Sequence, residues 1–387
     1  MIRLYFDSAS TTPLLPEVRE AMLPWLEMGW GNPSSLHADG RKAKEGIDVA
    51  RELCSHAFGC LFGEFHFCSG GTESCNWAVI GGALAAPSGR REVLMSAAEH
   101  HAVLETQPML ERLGFAVRPI RTDCEAQIDL NHLSELVGDR TALVSIMHAN
   151  NETGRINPIL EASRIVKNAG ALFHVDAVQT FPHVKVDELE ADLVSMSAHK
   201  FGGPKGAGGL WIRSGVKPTP LIAGGGQERE MRAGTENTPA IVGMGEAVRQ
   251  QGLHPQWQDQ KKVARDAFLS DMDFSLPFRI TCPSLAADPE GFLPGHLHLL
   301  VPGLAERLLI RMDQAGVSAS GGAACSSGSL EPSHVLAACG LTGKEAGGGV
   351  RFSFGHEITP EMARQGAEIF CQAIRDILEA RARKVSP

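Results

Sequence analysis

Residues 173–179 have the sequence Phe173-His174-Val175-Asp176-Ala177-Val178-Gln179, an apolar run that ends in an acid. Other short apolar runs also end in polar residues or glycine, and helix-like stretches separate them along the chain. Because strands and helices alternate, we expect a mostly parallel sheet that helices cover on both faces. The runs are Glu64–Cys68, Glu92–Met95, Ala142–Met147, Ala171–Val175, Leu193–Met196 and Gly209–Ile212. The helix-like stretches include Arg41–Phe58, Ala102–Leu113, Leu130–Leu136 and Ile159–Asn168.

The chain has 387 residues, which is too long for one simple core. We predict an α/β fold in which a large domain contains a mostly parallel sheet of the seven-stranded type, flanked by helices. A smaller α/β C-terminal domain follows it. We expect residues 1–15 to pack with the small domain, residues 16–252 to form the large domain and residues 253–387 to form the small one. The polar stretch Leu253–Gln260 indicates the second boundary.

Composition argues against several classes of protein. A net charge of −9 disfavours nucleic acid as a direct partner, because phosphate binding requires a basic surface. No apolar run approaches the roughly 18 residues of a membrane span, and the N-terminus lacks the form of a signal peptide. We therefore expect a cytoplasmic protein without a membrane partner. The nine cysteines are odd in number and lack CxxC spacing, which disfavours a disulfide framework and a cysteine-built metal site.

Two strand ends carry residues suited to cofactor chemistry. Asp176 could cap the next helix, or it could keep a pyridinium nitrogen protonated so that the ring acts as an electron sink. Lys200 follows the next apolar run and precedes glycines. Most lone lysines are solvated surface charges, but this position downstream of Asp176 fits a Schiff-base lysine better. Lys205 is a poorer candidate because it lies within the glycine turn, and Ser197 and His199 are suitable phosphate donors.

A glycine turn provides a candidate phosphate site. Residues 69–72 have the sequence Ser69-Gly70-Gly71-Thr72, between a predicted strand and a probable helix. Backbone N–H groups and the hydroxyl of Thr72 can bind an anion there. Such turns are common, so the signal is weak alone. Together with Asp176 and Lys200 it predicts a phosphate-binding cup.

Cys325 lies in a run of small residues from Ser318 to Ser329. A free cysteine is usually buried and structural, but small residues cannot build a core, so we expect an exposed, mobile loop. An exposed thiol can ionise and attack a substrate. Mobility would also let it carry a bound group to an acceptor.

With these motifs, the chain resembles the class V (fold type I) enzymes that use pyridoxal 5′-phosphate (PLP), and specifically the NifS/IscS-type cysteine desulfurases. The resemblance extends from Tyr5 to about Glu357. The motifs that carry it are Gly31-Asn32-Pro33-Ser34-Ser35, Ser69–Ser74, Glu99-His100-His101-Ala102-Val103, Asn150-Asn151-Glu152-Thr153-Gly154, His174-Val175-Asp176, His199-Lys200, Gly224–Glu228 with Arg232-Ala233-Gly234-Thr235, Cys325–Pro332 and Arg351-Phe352-Ser353.

The resemblance implies PLP as the cofactor, held in residues 16–252, and a role for each residue around it. Lys200 would form the Schiff base, Asp176 would contact the pyridine nitrogen, and Gln179 would hydrogen-bond the ring hydroxyl. His100 would stack on the ring and shuttle protons; without the family pattern, it could equally be a surface residue like its neighbour His101. The phosphate ligands would be Gly71, Thr72, Ser197 and His199.

The resemblance also implies how substrate and partner bind. Asn151 would lie beside cofactor and substrate, while Arg351 and Asn32 would bind the substrate carboxylate, to which a guanidinium fork is well matched. Thr235 would reach the phosphate of the other subunit's cofactor, which implies a homodimer. Cys325 would be the catalytic nucleophile.

We predict a cysteine desulfurase that converts L-cysteine to L-alanine and passes sulfur from Cys325 to an acceptor protein. The acceptor could be an iron–sulfur scaffold, or it could belong to a tRNA-thiolation, thiocofactor or DNA-modifying pathway. A selenocysteine lyase, an aminotransferase and a non-enzymatic scaffold of the same fold remain alternatives. Neither of the two enzymes needs Cys325, and a scaffold would not need Lys200. Cys75 departs from the family pattern, in which an Asp is expected.

Overall fold

The computed structural model describes residues 3–321 and 332–385. Its strands are β1 (Leu4–Tyr5), β2 (Phe65–Cys68), β3 (Glu92–Ser96), β4 (Ala116–Ile120), β5 (Thr141–Met147), β6 (Leu172–Asp176), β7 (Leu193–Ser197), β8 (Gly208–Ile212), β9 (Arg279–Ile280), β10 (His296–Leu300), β11 (Val317–Ser318) and β12 (Gly349–Ser353). A seven-stranded sheet has the order β2-β8-β7-β6-β5-β3-β4. β4, β3, β5, β6 and β7 run parallel, and β8 is antiparallel to both of its neighbours. The predicted α/β fold is confirmed.

The α-helices follow the predicted alternation with strands. They are α1 (Pro16–Glu27), α2 (Ala38–Phe58), α3 (Gly71–Asn76), α4 (Gly82–Ala85), α5 (His101–Leu104), α6 (Gln107–Arg112), α7 (Leu130–Leu136), α8 (Ile159–Asn168), α9 (Val186–Leu189), α10 (Thr238–Leu253), α11 (Trp257–Ser270), α12 (Ala305–Gln314), α13 (His334–Ala338), α14 (Gly343–Ala346) and α15 (Pro360–Val385). The single helix expected over Ala102–Leu113 is wrong. Pro108 lies in the first turn of α6, and because proline has no N–H to donate, the helix is interrupted before it.

Both faces of the central sheet are buried. On β5, Leu143 packs in a core with Trp77 and Val93, whereas Val144 packs in another with residues of α2 and α10. Every residue of β5 is buried, as expected for a strand covered on both faces. The carboxyl ends of β6 and β7, which carry Asp176 and Ser197, therefore lie side by side at one edge of the buried sheet.

A further core lies around the antiparallel sheet β12-β10-β9. Phe268 of α11 and Phe370 of α15 pack in it, together with Leu4 and Phe6 from the start of the chain. β1 pairs in parallel with β11. The chain division at residues 15 and 252 stays a prediction, and α10 continues to Leu253.

No helix within the described ranges combines the length and the apolar character that a membrane crossing requires.

Candidate active site

A cavity of about 360 Å³ opens where β6 and β7 end. It brings together most of the residues that the sequence predicts as functional. These are Gly71, Thr72, His100, Asn151, Asp176, Gln179, Ser197, His199, Lys200 and Arg351.

Asp176 is buried at the base of this cavity, with 5% of its surface exposed. Its Oδ1 accepts a hydrogen bond of 2.9 Å from the backbone N–H of Val178. Burial raises the pKa of Asp176, against the opposing effects of Val178, the Cys75 thiol and the positive charge of Lys200. A buried carboxylate of this kind favours a cationic or N–H partner in the cavity.

Lys200 enters the same cavity from the turn after β7. Its Nζ donates to the backbone oxygens of Ala9, at 2.7 Å, and Ser10, at 2.9 Å. Gln179 donates to the same oxygen of Ala9, at 3.1 Å. Ala9 and Ser10 therefore form a wall of the site, which the sequence pattern did not indicate.

The glycine turn shapes an anion-sized recess beside Ser197. Gly70 has a φ of 151°, which favours glycine. A Cβ on Gly71 would lie 3.0 Å from Val178 Cγ2 and 3.4 Å from Ser197 Cβ, so a side chain there would narrow the recess. His199 completes it and shares a hydrogen bond of 3.1 Å with the hydroxyl of Thr11.

His100 is placed by the local backbone rather than by a long helix. It caps the short helix α5, and its Nδ1 accepts a hydrogen bond of 3.0 Å from the N–H of Ala102. Burial, reinforced by the nearby charge of Lys200, lowers the pKa of His100 to about 4. The ring is therefore neutral at physiological pH, and its Nδ1 is committed to the backbone.

Arg351 contributes a guanidinium to the cavity and has 2% of its surface exposed. Its Nη2 donates to Asp7 Oδ1 at 2.8 Å and to Ser10 Oγ at 2.5 Å, and its Nη1 donates to the backbone oxygen of Asn151 at 2.8 Å. The buried Nε has no acceptor among the described residues. The guanidinium is thus held firmly by three hydrogen bonds, and its Nε–H has no acceptor in the described chain.

Glu99 and Cys75 lie under the site, and the sequence pattern assigned neither a role. Glu99 is fully buried, and burial together with the charge of Asp176 raises its pKa well above the ordinary value. Its Oε1 accepts from the N–H of Met147 at 2.5 Å. Cys75, 1% exposed, lies beside Asp176, and burial raises the pKa of its thiol. For both groups, burial favours the neutral form.

Two predicted residues of the described chain, Asn32 and Thr235, do not line this cavity. Asn32 is exposed, and its Oδ1 accepts from the N–H of Ser34 at 2.9 Å. Thr235 is also exposed, and it lies in the loop that precedes α10. Cys325 lies outside the described residues. The roles of all three stay predictions.

The comparisons with known proteins agree with this geometry. Residues 4–364 match the family model described as aminotransferase class-V. A Dictyoglomus turgidum protein named cysteine desulfurase IscS is 44% identical, with 92% of this chain and 91% of that protein covered. A solved structure named NifS-like protein has a TM-score of 0.88 at 35% identity, with 97% of this chain and 100% of that one covered.

Another similar solved structure is SspA in complex with cysteine. Its TM-score is 0.79 at 31% identity, and 91% of this chain and 99% of that one are covered. The family resemblance drawn from the sequence motifs is thereby confirmed. The chain belongs to the class-V aminotransferase family and, within it, to the cysteine desulfurases of the IscS and NifS type.

Proposed function

We propose that the protein converts L-cysteine to L-alanine with PLP as its cofactor and collects the sulfur as a persulfide on Cys325. The observation that carries this proposal is the presence of Lys200 and the buried Asp176 in one cavity, at adjacent strand ends. An aldehyde cofactor with a basic ring nitrogen requires an amine and a carboxylate in this relation.

The residues present fit PLP. The cavity of about 360 Å³ has a glycine-lined recess at one end, where Ser197 and His199 supply phosphate donors. At the other end, the buried Oδ1 of Asn151 lacks a hydrogen-bond partner in the described chain, so it can accept a bond from a ligand. Asp176 lies at the base, where a protonated ring nitrogen would offset its burial.

PLP, when bound, supplies an electron sink for the carbanion formed at the substrate Cα. Lys200 would hold the cofactor and, once released by substrate, remove the Cα proton. Asp176 would keep the ring nitrogen protonated. His100, neutral above a pKa of about 4, would pack its ring against the cofactor and present its Nε2–H as a donor, because Nδ1 accepts from the backbone.

Arg351 would bind the substrate carboxylate. Its buried Nε lacks an acceptor, and Asp7 and Asn151 hold the other nitrogens in place. A carboxylate is the acceptor that best matches a guanidinium.

The sulfur step would use Cys325. The thiolate would attack the substrate sulfur, the Cβ–S bond would break, and its electron pair would remain with Cβ. One of the two thiol protons would end on Cβ of alanine and the other on the persulfide, so no further oxidant or reductant is needed. The flanking residues support this role: Ser320 pairs with Arg351, and Ser333 donates to Glu152 at 2.5 Å, so described residues on both sides of Cys325 in the sequence contact residues that line the cavity.

We also propose that the active unit is a homodimer. Asn32 and Thr235 are exposed in the single chain, which is consistent with roles in a second subunit's site. The segment around Asn32 also exposes apolar side chains: Met28 is 73% exposed, Trp30 76% and Leu36 91%. Such surface is typical of an interface. The sulfur acceptor would be a separate protein, and an iron–sulfur scaffold is the first candidate. The cytoplasmic location that the sequence predicts would place the enzyme beside such a scaffold.

Alanine release from L-cysteine tests the proposal. We expect Cys325→Ser to bind PLP normally and to lose nearly all turnover, because a serine hydroxyl does not ionise near neutral pH. Cys124→Ser, at an exposed cysteine outside the cavity, is the matched control and should retain full activity. Undiminished turnover in Cys325→Ser would instead favour a lyase or an aminotransferase.

A second measurement tests the cofactor site. Borohydride reduction of the holoenzyme, followed by peptide mapping, should find the pyridoxyl group on Lys200. A pyridoxyl group on Lys205 would contradict the assignment.

A further inference from the structure

A second cavity, of about 240 Å³, lies behind the wall that separates it from the proposed active site. Ala9, Gln179 and Lys200 line both cavities. The space lies between the large central sheet and the smaller core, because residues following β7 face residues following β12 across it. Its volume is far above the ~10–15 Å³ that one water molecule needs.

Two opposite charges face this cavity without forming an ion pair with each other. Lys261 of α11 and Glu357, beyond β12, both line it. Burial raises the pKa of Glu357, and the positive charge of Lys261 opposes that shift. No ion pair or hydrogen bond involves the ammonium of Lys261 in the described chain. Burial lowers the pKa of Lys261 to about 8, so it is still largely protonated at neutral pH.

Two glycines leave the space that the side chains of Lys261 and Glu357 occupy. A Cβ on Gly295 would lie 2.9 Å from Lys261 Cβ, and a Cβ on Gly355 would lie 2.1 Å from a Glu357 carboxylate oxygen. Both glycines line the cavity. Any larger residue at either position would displace one of the two charged groups.

Two histidines and a serine hydroxyl that also line the cavity are uncharged. Burial lowers the pKa of His183 and of His356 to about 4 each. The hydroxyl of Ser8, a residue that is 9% exposed, has no hydrogen-bond partner among the described groups. Apart from Lys200, whose Nζ donates to the backbone oxygens of Ala9 and Ser10, the cavity therefore combines one lysine, one carboxyl group and uncharged hydrogen-bonding groups.

We propose that this cavity binds a zwitterionic α-amino acid with a short side chain, its carboxylate on Lys261 and its ammonium on Glu357. A simple anion would be repelled by Glu357, and a simple cation by Lys261, whereas a zwitterion satisfies both charges. The substrate and the product of the proposed reaction share this chemistry. The ligand class rests in part on the proposed function, but the site itself rests on the charges that line the cavity.

Binding can be measured by equilibrium dialysis of labelled L-alanine against the Arg351→Ala holoenzyme, in which the active-site clamp is removed. L-Serine, which carries no transferable sulfur, stands in for L-cysteine in a parallel experiment. We expect one amino acid per chain. Lys261→Met and Glu357→Gln should each weaken binding about 10-fold or more, because each removes one charged hydrogen bond. Preferential binding of alanine or of serine would identify product or substrate as the ligand.

Lys262→Met is the matched control. It removes the neighbouring lysine of α11, which pairs with the exposed Glu290 instead of facing the cavity, and it should leave the affinity unchanged. Acetate and methylamine should compete weakly, since each carries only one charge. Loss of the site in Arg351→Ala, equal binding by Lys261→Met and Lys262→Met, or acetate binding as tight as alanine binding would overturn the proposal. A failed desulfurase assay would leave these binding measurements intact, so the two failures are distinguishable.

Discussion

Replacing Asp7 by asparagine perturbs the residue that holds Arg351. The Asp7–Arg351 contact is a charged hydrogen bond of 2.8 Å between a guanidinium that is 2% exposed and a carboxylate that is 20% exposed. Asparagine keeps an acceptor of similar shape but removes the charge. At this burial, a charge-assisted bond contributes about 1.5–3 kcal/mol, which corresponds to roughly 10- to 100-fold in affinity.

We expect Asp7→Asn to lower kcat/KM for L-cysteine by roughly 10-fold or more, mainly through KM, because the proposed carboxylate clamp loses its orientation. Steady-state alanine release measures both constants. Ser10→Ala is the matched control, since it removes a neutral contact of the same Nη2 and should have a smaller effect. An unchanged KM in Asp7→Asn, or a loss confined to kcat, would refute a role in substrate binding.

Further predictions follow from groups around the site. Cys75→Ala should weaken PLP binding a few-fold, whereas Cys75→Ser should not, because the Cys75 thiol donates to Asp176 and lowers its pKa; spectroscopic titration with PLP measures this. Glu228→Gln should lower the free energy of unfolding by about 3 kcal/mol in urea, since it breaks the buried pair with Arg51. Burial alone raises the pKa of Glu228, but the Arg51 hydrogen bonds lower it overall. The contribution of Glu228 to the free energy of unfolding is therefore present above the unfolded pKa of about 4.3 and is lost as the pH falls further. Glu228→Gln should lack this acid dependence. His100 has a pKa of about 4, so kcat/KM should show no inflection from His100 between pH 6 and 7, and the His100→Gln profile should keep the wild-type shape in that range.

The sequence was sufficient to predict that Asp176 and Lys200 lie in one cavity. Both follow apolar runs, and the carboxyl ends of parallel strands meet at one edge of the sheet, so their proximity follows from topology. The same reasoning explains why Ser197 and the Gly70–Gly71 turn reach the same cavity. These residues lie close to strand ends, where the alternation of strands and helices determines position.

Other features depend on contacts that no local pattern encodes. Asp7 reaches Arg351 only because the start of the chain packs into the core of the smaller sheet. Glu99 appears in the sequence as an ordinary acid, and only its burial reveals that it faces Asp176. β4 was missed because it is an edge strand, mostly exposed, that contains Pro119.

Detection of the sulfur added to Cys325 after a single turnover tests the central claim most directly. The holoenzyme would be mixed with one equivalent of L-cysteine, quenched with an alkylating agent and digested, and its peptides would be analysed by mass spectrometry. We predict one added sulfur on the peptide that contains Cys325, with one alanine released per sulfur. Alanine formation without a persulfide, or the added sulfur on Cys75 or Cys339 instead, would contradict the proposed mechanism.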